Sequence, residues 1–358
     1  MTADTRIPGF LLPGFLGSGK TTLLRDILAA PEMADTAVLI NEFGEIGIDH
    51  LIVGAIDGEA VVLQNGCVCC ALRDDLKQSL EALLGRVGRG EMPRFSRVVI
   101  ETTGLADPVP ILHTLLGDPL LRHQFRPERT IVTLDAVLGA GQLAHHPESV
   151  RQVAVADRLI LTKADIASPE EAGATCRAAG RINLGATIQR RDDPAAEPAA
   201  LLAVSENAVA DRLRETEDWL AAFEAASPAV HDHHHHDHDG THAHHHVSDV
   251  RSLSIRFAEP IDWAAFGVWL SALLHRHGSR ILRVKGILDA SDIDGPVVLQ
   301  AVEHIVHPPV HLPAWPGGER GSRLVFITRG LDPEAIRGSP TAYLDAAARM
   351  SAAGEDAA

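Results

Sequence analysis

Three of the chain's four cysteines fall within four residues, as Cys67, Cys69 and Cys70 of the sequence GCVCC. Thiolates bind soft and borderline metals such as zinc and cuprous copper. The cluster precedes a predicted helix, and a helix N-terminus lowers the pKa of a thiol and favours the metal-binding thiolate. Three thiolates can hold Zn²⁺ and leave one position for a histidine, a carboxylate, water or a client group. A redox sensor and simple packing are the two alternative interpretations.

A second group of residues is suited to holding nucleotide phosphates. The stretch GFLGSGKT (14–21) fits the pattern G-x4-G-K-S/T, with an apolar run before it and a helical pattern after it. In this motif, backbone N–H groups surround the phosphates, the lysine reaches the β- and γ-phosphates, and the threonine hydroxyl binds Mg²⁺. The predicted nucleotide contacts here are Gly14, Gly17, Ser18, Gly19, Lys20, Thr21 and Thr22, with Thr21 also on the Mg²⁺.

The sequence ETTG (101–104) follows the apolar run RVVI. An acidic residue at the end of such a strand can reach the Mg²⁺ or order its water, and the glycine amide can turn toward the γ-phosphate. Leu105 stands where Ras-like proteins have a water-positioning glutamine, so we expect slow intrinsic hydrolysis. A surface turn is the alternative interpretation of this segment. The residues predicted to carry the reaction are Lys20, Thr21, Glu101 and Gly104.

The sequence TKAD ends the apolar run RLILT and supplies Thr162, Lys163 and Asp165. It resembles the N/T-K-x-D guanine motif, in which the carboxylate accepts from both N1–H and the 2-amino group of guanine. Adenine offers neither pattern. A solvated strand end explains TKAD equally well by itself, but its position after the other two motifs favours GTP over ATP. Residues 182–186, INLGA, are a candidate for the loop on the other side of the base.

Two further segments are candidates for metal binding. Residues 41–49, NEFGEIGID, occupy the position of a nucleotide-sensing switch, and Glu42 is assigned to a metal, with solvated loop charges as an equal alternative. Residues 231–246 contain ten histidines in sixteen positions. Clustered imidazoles bind several divalent transition metals without selectivity. We expect this tract to collect metal weakly, with a purification tag as the alternative.

The elements that position these residues follow an alternating pattern. Apolar runs and helical patterns alternate up to about residue 225, which predicts an α/β, doubly wound and mostly parallel sheet. The predicted strands are 10–13, 36–40, 60–63, 97–100, 130–134 and 158–162. The predicted helices are 20–30, 71–86, 107–116, 149–156, 169–180 and 207–225, the last of which closes this domain.

After the histidine tract a second pattern begins, with a strand in SDVRSLSIRF, a helix at 262–277 and further strands near 280–288, 296–303 and 323–328. This order predicts a small α+β domain. The expected divisions are a nucleotide-binding domain at 1–226, a histidine-rich disordered linker at 227–248, the α+β domain at 249–340 and a fraying helical tail at 341–358.

Composition excludes several classes of protein. The 358 residues are 46% hydrophobic and carry a net charge of −16 with no basic stripe, which argues against a nucleic-acid partner. No apolar run reaches 18 residues, so we expect no membrane span. No cleavable leader is apparent, so a cytoplasmic location is expected. We expect Cys176, the fourth cysteine, to pack as a small hydrophobe.

Taken together, GFLGSGKTTLL, NEFGEIGID, GCVCC, ETTGLADP, TKAD and a histidine-rich link to an α+β unit resemble the CobW-like metallochaperone GTPases. Pro13 and Thr162 depart from the family's usual threonine and asparagine. The resemblance implies a SIMIBI-type domain that binds GTP and Mg²⁺ and holds a metal at the CxCC thiols.

Thiolates together with histidines suit Zn²⁺ first, Co²⁺ second and Ni²⁺ third. The resemblance implies delivery of the metal to the apo-form of a client metalloprotein, and we expect a monomer or weak homodimer. The alternatives are a cobalt chaperone for cobalamin biosynthesis, a metal-storage or sensing protein, and an ordinary P-loop kinase or regulatory GTPase with structural thiols.

Overall fold

The chain forms two compact units. The computed structural model describes residues 4–41, 50–53, 72–204, 208–226, 249–315 and 320–355. Residues 1–179 and 186–206 form the first unit, and residues 180–185 and 207–358 form the second.

A seven-stranded sheet forms the centre of the first unit. Its strands are β1 (Ile7–Leu12), β2 (Thr36–Asn41), β3 (His50–Val53), β4 (Arg97–Thr102), β5 (Phe125–Asp135), β6 (Arg158–Thr162) and β7 (Thr187–Arg190). The strand order is β3-β2-β4-β1-β5-β6-β7, and all neighbours are parallel except β3, which runs antiparallel to β2. Strands β1, β4 and β6 are largely apolar runs, as expected where helices cover both faces of a parallel sheet.

The helices between these strands confirm the predicted doubly wound α/β class. They are α1 (Lys20–Ala29), α2 (Leu72–Gly88), α3 (Val109–Gly117), α4 (Leu121–Gln124), α5 (Gly139–His145), α6 (Pro147–Val155), α7 (Pro169–Ile182) and α8 (Pro198–Leu201). Leu23 and Ile27 of α1 pack with Phe10, Leu12 and Val99 in one buried cluster of the sheet. This cluster fixes α1 over β1, and therefore fixes the loop that joins them.

The structure also differs from the sequence-based prediction of the elements. Strand β5 begins at Phe125, five residues before the predicted start, because its first half carries charged residues that hide the strand pattern. Arg126 in this half is buried and paired with Glu128 at 3.1 Å and with Asp4 at 3.4 Å. Strands β3 and β7 and helix α5 were not predicted, and the predicted strand at 60–63 lies outside the described residues.

The second unit contains a six-stranded antiparallel sheet. Its elements are α9 (Ala208–Ala226), β8 (Val250–Phe257), α10 (Trp263–His277), β9 (Ile281–Asp289), β10 (Pro296–Val302), β11 (Ile305–Val306), β12 (Val310–His311), β13 (Ser322–Arg329) and α11 (Pro333–Glu355). The order is β11-β10-β9-β13-β8, with β12 also paired to β10. This confirms the expected small α+β domain.

Helix α9 packs within the second unit, whereas the sequence pattern placed it at the end of the first domain. It contacts β9, β10 and β13. The Trp219 ring lies 5.8 Å from Lys285 Nζ, and the Trp219 indole N–H donates to Asn183 Oδ1 at 3.2 Å. An apolar stripe indicates that a helix packs, but not on which sheet. Helix α11 likewise begins at Pro333, before the expected tail, and packs on α10 and β8.

Candidate nucleotide-binding site

The loop between β1 and α1 has the geometry of a phosphate cradle. Gly17 and Gly19 have φ angles of 71° and 88°, a left-handed conformation that glycine adopts without a side-chain penalty. A Cβ on Gly14 would overlap the Thr133 hydroxyl and lie 2.6 Å from Ser18 Oγ. Helix α1 starts directly after Gly19, so its free N–H groups and positive dipole end lie at the loop. These features fit bound phosphates.

Lys20 is held at this loop. Its side chain is buried, and its Nζ donates to the carbonyl oxygens of Gly14 at 2.7 Å and Phe15 at 3.2 Å. The neighbouring Ser18 is fully buried, and its Oγ lies 2.6 Å from Thr133 Oγ1 on β5. The Ser18 backbone N–H donates to Phe15 O at 3.1 Å, so both the N–H and the hydroxyl of this predicted phosphate contact have partners within the protein.

Two oxygen ligands suited to Mg²⁺ lie next to each other. The Thr21 hydroxyl, in the first turn of α1, donates to Glu101 Oε1 at 3.4 Å, and Glu101 is buried at the end of β4. Mg²⁺ takes hard oxygen ligands and is usually held by one or two protein groups together with phosphate and water. The pair fits such an ion. Thr22, which was also predicted to contact the nucleotide, is exposed in the same helical turn.

The ETTG turn is packed tightly against the phosphate loop. A Cβ on Gly104 would lie 2.6 Å from Leu16 N and 2.8 Å from Leu16 Cα. The turn is also held from behind, because the buried Gln152 of α6 donates its amide to the carbonyl oxygens of Gly104 at 3.2 Å and Ala106 at 3.0 Å. The structure thus brings together the loop, Glu101 and Gly104 as the sequence predicted, and it adds Gln152.

The TKAD motif lies beside the same loop. The Thr162 hydroxyl lies 2.8 Å from Ser18 O and 3.0 Å from Leu134 O, so its proton can bond the P-loop backbone. This contact gives a physical role to a threonine at the position where the family has asparagine. Lys163 has a φ of 55° and contacts Asp135 of β5, whereas Asp165 is exposed at the end of the motif. Pro13 is the other residue that departs from the family's usual sequence. Its carbonyl oxygen accepts a hydrogen bond from the Thr133 backbone N–H at 3.1 Å.

Asp135 was missed by the sequence reasoning. Burial disfavours its charged form, but the Lys163 ammonium and the N–H groups of Leu138 and Val137 hold the pKa of the Asp135 carboxyl below its ordinary value. Its position in the sequence could have indicated a role, because Asp135 is the last residue of an apolar strand. Ligands of open parallel sheets bind at the carboxyl ends of the strands. Gln152 has no comparable signal, since it lies in the middle of a helix.

Several predicted residues fall outside the described part of the chain, namely Glu42, Cys67, Cys69 and Cys70. Among the described residues, no group of three or more histidine, cysteine, aspartate or glutamate side chains is arranged to hold a metal. Cys176 is partly buried, and burial raises the pKa of its thiol although Arg177 opposes this. A neutral thiol is a poor metal ligand.

Two other expectations concern described residues. Asn183, in the candidate base-side loop, is buried and accepts from Trp219, both within the second unit. No helix in the described ranges is long and apolar enough to cross a membrane.

A phosphate cradle after β1, an acidic turn after β4 and a TKAD motif after β6 of a parallel sheet define a P-loop nucleotide-binding domain. The chain belongs to the CobW family, as residues 8–189 match the family described as "CobW/HypB/UreG, nucleotide-binding domain". Residues 250–339 match the "Cobalamin synthesis protein cobW C-terminal domain". These matches confirm the resemblance drawn from the motifs.

Named proteins and a solved structure are similar to this chain over almost its whole length. The zinc chaperone YjiA of Escherichia coli K12 is 30% identical over 327 residues, which cover 91% of this chain and 95% of that protein. The zinc chaperone CobW of Sinorhizobium sp. is 27% identical and covers 95% of this chain and 98% of its own. The crystal structure of Zn(II)-bound YjiA GTPase from E. coli has a TM-score of 0.67 at 26% identity, covering 95% of this chain and 99% of that one.

Proposed function

We propose that the protein is a GTP-dependent zinc metallochaperone. It binds GTP and Mg²⁺ at the P-loop, holds Zn²⁺ at Cys67, Cys69 and Cys70, and delivers the metal to the apo-form of a client metalloprotein when GTP is hydrolysed. The relatives named zinc chaperones support zinc over cobalt.

One observation carries the link between nucleotide and metal. Helix α2 starts at Leu72, two residues after Cys70, and packs against α3, which starts five residues after Gly104. Lys77 of α2 is also paired with Asp118, the residue that ends α3, at 2.8 Å. A displacement of the ETTG turn therefore reaches the helix that follows the thiols through packed side chains. Packed interfaces of this kind tend to have discrete arrangements rather than deform continuously.

The residues of the P-loop site act as follows in this proposal. Lys20 and the backbone N–H groups of the loop hold the phosphates, and the Thr21 hydroxyl and the Glu101 carboxylate hold Mg²⁺ or its water. When bound, Mg²⁺ supplies positive charge that offsets the charge developing on the phosphate oxygens. The Gly104 amide responds to the γ-phosphate. Because Leu105 has no group that orients water, hydrolysis is slow until a partner or the bound metal assists.

Base recognition belongs to TKAD. Asp165 accepts from guanine N1–H and the 2-amino group, Lys163 lies along the base, and Thr162 anchors the motif to the P-loop. The assignment of Glu42 to a metal, the domain divisions, the monomeric or weakly dimeric state and the cytoplasmic location remain predictions from the sequence, as does the lack of nucleic-acid and membrane partners. The metal-collecting role of residues 231–246 is also a prediction.

The proposal is tested by the metal response of GTP turnover. Cys69→Ser should remove the effect of Zn²⁺ on GTP hydrolysis, because it removes one of three thiolate ligands. Cys176→Ser is the matched control and should respond to Zn²⁺ like the wild type. An unchanged zinc response in Cys69→Ser would favour an ordinary P-loop GTPase with structural thiols.

A storage or sensing protein makes a different prediction. Deleting residues 231–246 would abolish the metal capacity of such a protein, whereas the chaperone should keep its high-affinity site and lose only weakly bound metal. Equilibrium dialysis at nanomolar and micromolar free Zn²⁺ separates the two. Loss of the high-affinity site on deletion would contradict the chaperone.

A further inference from the structure

The buried carboxylate of Asp135 fixes the lysine of the TKAD motif. Lys163 Nζ donates to Asp135 Oδ2 at 2.5 Å, and the Asp135 side chain is 1% exposed against 38% for Lys163. The other carboxylate oxygen, Oδ1, accepts from the backbone N–H groups of Val137 at 2.9 Å and Leu138 at 3.1 Å. The backbone after β5 therefore fixes the carboxylate, and the carboxylate fixes the lysine.

The backbone of Lys163 needs this support. Its φ of 55° lies in the left-handed region, which non-glycine residues adopt only where the surrounding structure maintains it. On one side, the Thr162 hydroxyl is bonded to the P-loop backbone at Ser18 O. On the other side, the chain continues within two residues to the exposed Asp165. The conformation of Lys163 consequently sets the direction in which Asp165 is presented.

We propose that Asp135 is a positioning residue for guanine selectivity, acting through Lys163 on the placement of Asp165. The inference rests on the proposed binding of GTP. A lysine side chain has several rotatable bonds, and ordering it only when the ligand binds would cost affinity. The ion pair with Asp135 orders it beforehand, so more of the interaction with the base is retained as binding free energy.

Asp135 acts on the base and not on the reacting phosphates. Its described bonds go to Lys163 and to the backbone of residues 137 and 138. The catalytic candidates Lys20, Thr21 and Glu101 make other described bonds. A change at Asp135 should therefore alter KM for GTP and leave kcat nearly unchanged, as expected when an interaction is equal in the ground state and the transition state.

The test is steady-state hydrolysis of GTP and ATP by Asp135→Asn. Asparagine keeps an oxygen for the two backbone N–H groups but cannot form the ion pair. We expect KM for GTP to rise about tenfold, the loss typical of one charge-assisted hydrogen bond, with kcat within about twofold. Because adenine offers no partner pattern to Asp165, the preference for GTP over ATP in kcat/KM should fall by about the same factor.

Asp118→Asn is the matched control. Asp118 Oδ1 also accepts from two backbone N–H groups, those of Leu120 at 2.9 Å and Leu121 at 3.0 Å, and its carboxylate is also paired with a lysine, Lys77, at 2.8 Å. Asp118→Asn therefore breaks a carboxylate–lysine pair of the same kind as Asp135→Asn does, but at a position outside the TKAD motif. Both variants are assayed without Zn²⁺, because the Lys77–Asp118 pair lies on the proposed route from the nucleotide to the thiols. Under these conditions the control should keep the wild-type KM for GTP and the wild-type preference over ATP.

A second variant tests whether Asp135 acts through Lys163. Lys163→Met in the Asp135→Asn background should add little to the rise in KM, because the pair is already broken. Full additivity of the two effects would overturn the proposal. An unchanged KM in Asp135→Asn, an equal rise in Asp118→Asn, or a loss confined to kcat would overturn it as well. A wild-type protein that shows no preference for GTP would instead contradict the proposed function itself.

Discussion

Gly104 shows how closely the site depends on single atoms. The nearest neighbours of a Cβ at this position include the backbone N and Cα of Leu16, which cannot move aside as a flexible side chain can. The glycine therefore allows the ETTG turn to contact the phosphate loop directly. Thr133 and Thr162 add hydroxyl bonds from β5 and β6 to the same loop. These contacts connect the ETTG turn and the TKAD motif to the same phosphate loop.

Gly104→Ala should slow GTP hydrolysis strongly. The added methyl group separates the ETTG turn from Leu16, and a displacement of about 1 Å near reacting groups costs roughly a hundredfold in rate. Single-turnover hydrolysis with saturating GTP measures the change.

Gly141→Ala is the control for this substitution. Gly141 lies in α5, has open space where a Cβ would be added, and should gain up to about 1 kcal/mol of stability from helix propensity. Its turnover should equal that of the wild type. Wild-type hydrolysis in Gly104→Ala would show that the contact with Leu16 is not needed.

Helix α6 joins two parts of the site. His146, directly before α6, packs against Phe15 of the phosphate loop, with ring centroids 4.5 Å apart and the ring planes tilted by 34°. One turn into the helix, Arg151 pairs with Asp107 at 3.1 Å, and Gln152 bonds the ETTG turn. The helix therefore holds the phosphate loop and the acidic turn in a fixed relation.

Gln152→Leu should destabilise the protein and reduce turnover. It leaves the carbonyl oxygens of Gly104 and Ala106 without their donor, which costs about 1–3 kcal/mol for buried groups. Because the turn is then less well held, kcat for GTP should fall, by up to about a hundredfold if the turn shifts by about 1 Å. Urea unfolding and steady-state hydrolysis measure the two effects.

Gln142→Leu on α5 is the control. Gln142 and Gln152 each have a buried amide oxygen that finds no hydrogen-bond partner in the described part of the chain, but the bonds to the ETTG turn come from the Gln152 amide N–H groups. The effect of Gln142→Leu on stability should stay within about 0.5 kcal/mol. A destabilised Gln152→Leu with unchanged kcat would mean that Gln152 supports the fold alone.

Most elements could be predicted because their signals are local. The strands β1, β2, β4 and β6 are short apolar runs, and the glycine loop and prolines locate the adjacent helix ends. Strand β7 could not be predicted, since its four residues are at least partly exposed and show no apolar run. The hydrogen-bond partners of the site residues could not be predicted either. Gln152 meets Gly104 across 48 residues of sequence, and Lys163 meets Asp135 across 28, so only the folded sheet brings them together.

The described residues form two compact units, and helix α9 belongs to the second of them. Helix α9 buries Trp219, Leu220 and Phe223 within the second unit. Lys285 of β9, which lies under the Trp219 ring, is 2% exposed. The neighbouring Val284 belongs to the buried cluster formed with α10, and successive strand residues point to opposite faces. Helices α9 and α10 therefore cover opposite faces of the second sheet.

A fragment of residues 207–358 should unfold cooperatively in urea, and a fragment that begins at residue 249 should be less stable by at least about 3 kcal/mol. The estimate is the usual cost of losing one large buried aromatic side chain. Circular dichroism of both fragments measures the difference. Equal stability of the two fragments would mean that α9 does not stabilise the second unit and belongs with the first domain.

In the proposed function the molecule couples two ligands, and such coupling is reciprocal. If GTP tightens the metal site, then Zn²⁺ must tighten GTP binding by the same factor. The packing of α3 against α2 is the connection that we propose between the ETTG turn and the metal site. Because Leu105 has no group that orients water, we expect a partner or the bound metal to set the timing of hydrolysis.

The most direct test is a competitive titration of Zn²⁺ against a chelator of known affinity, with a non-hydrolysable GTP analogue, with GDP and without nucleotide. The account predicts that the GTP analogue raises the Zn²⁺ affinity by at least about fivefold over the other two conditions, the lower end of usual coupling energies. Cys69→Ser should remove this difference, and Cys176→Ser should keep it. Equal Zn²⁺ affinities in all three conditions would contradict the claim that the nucleotide controls the metal.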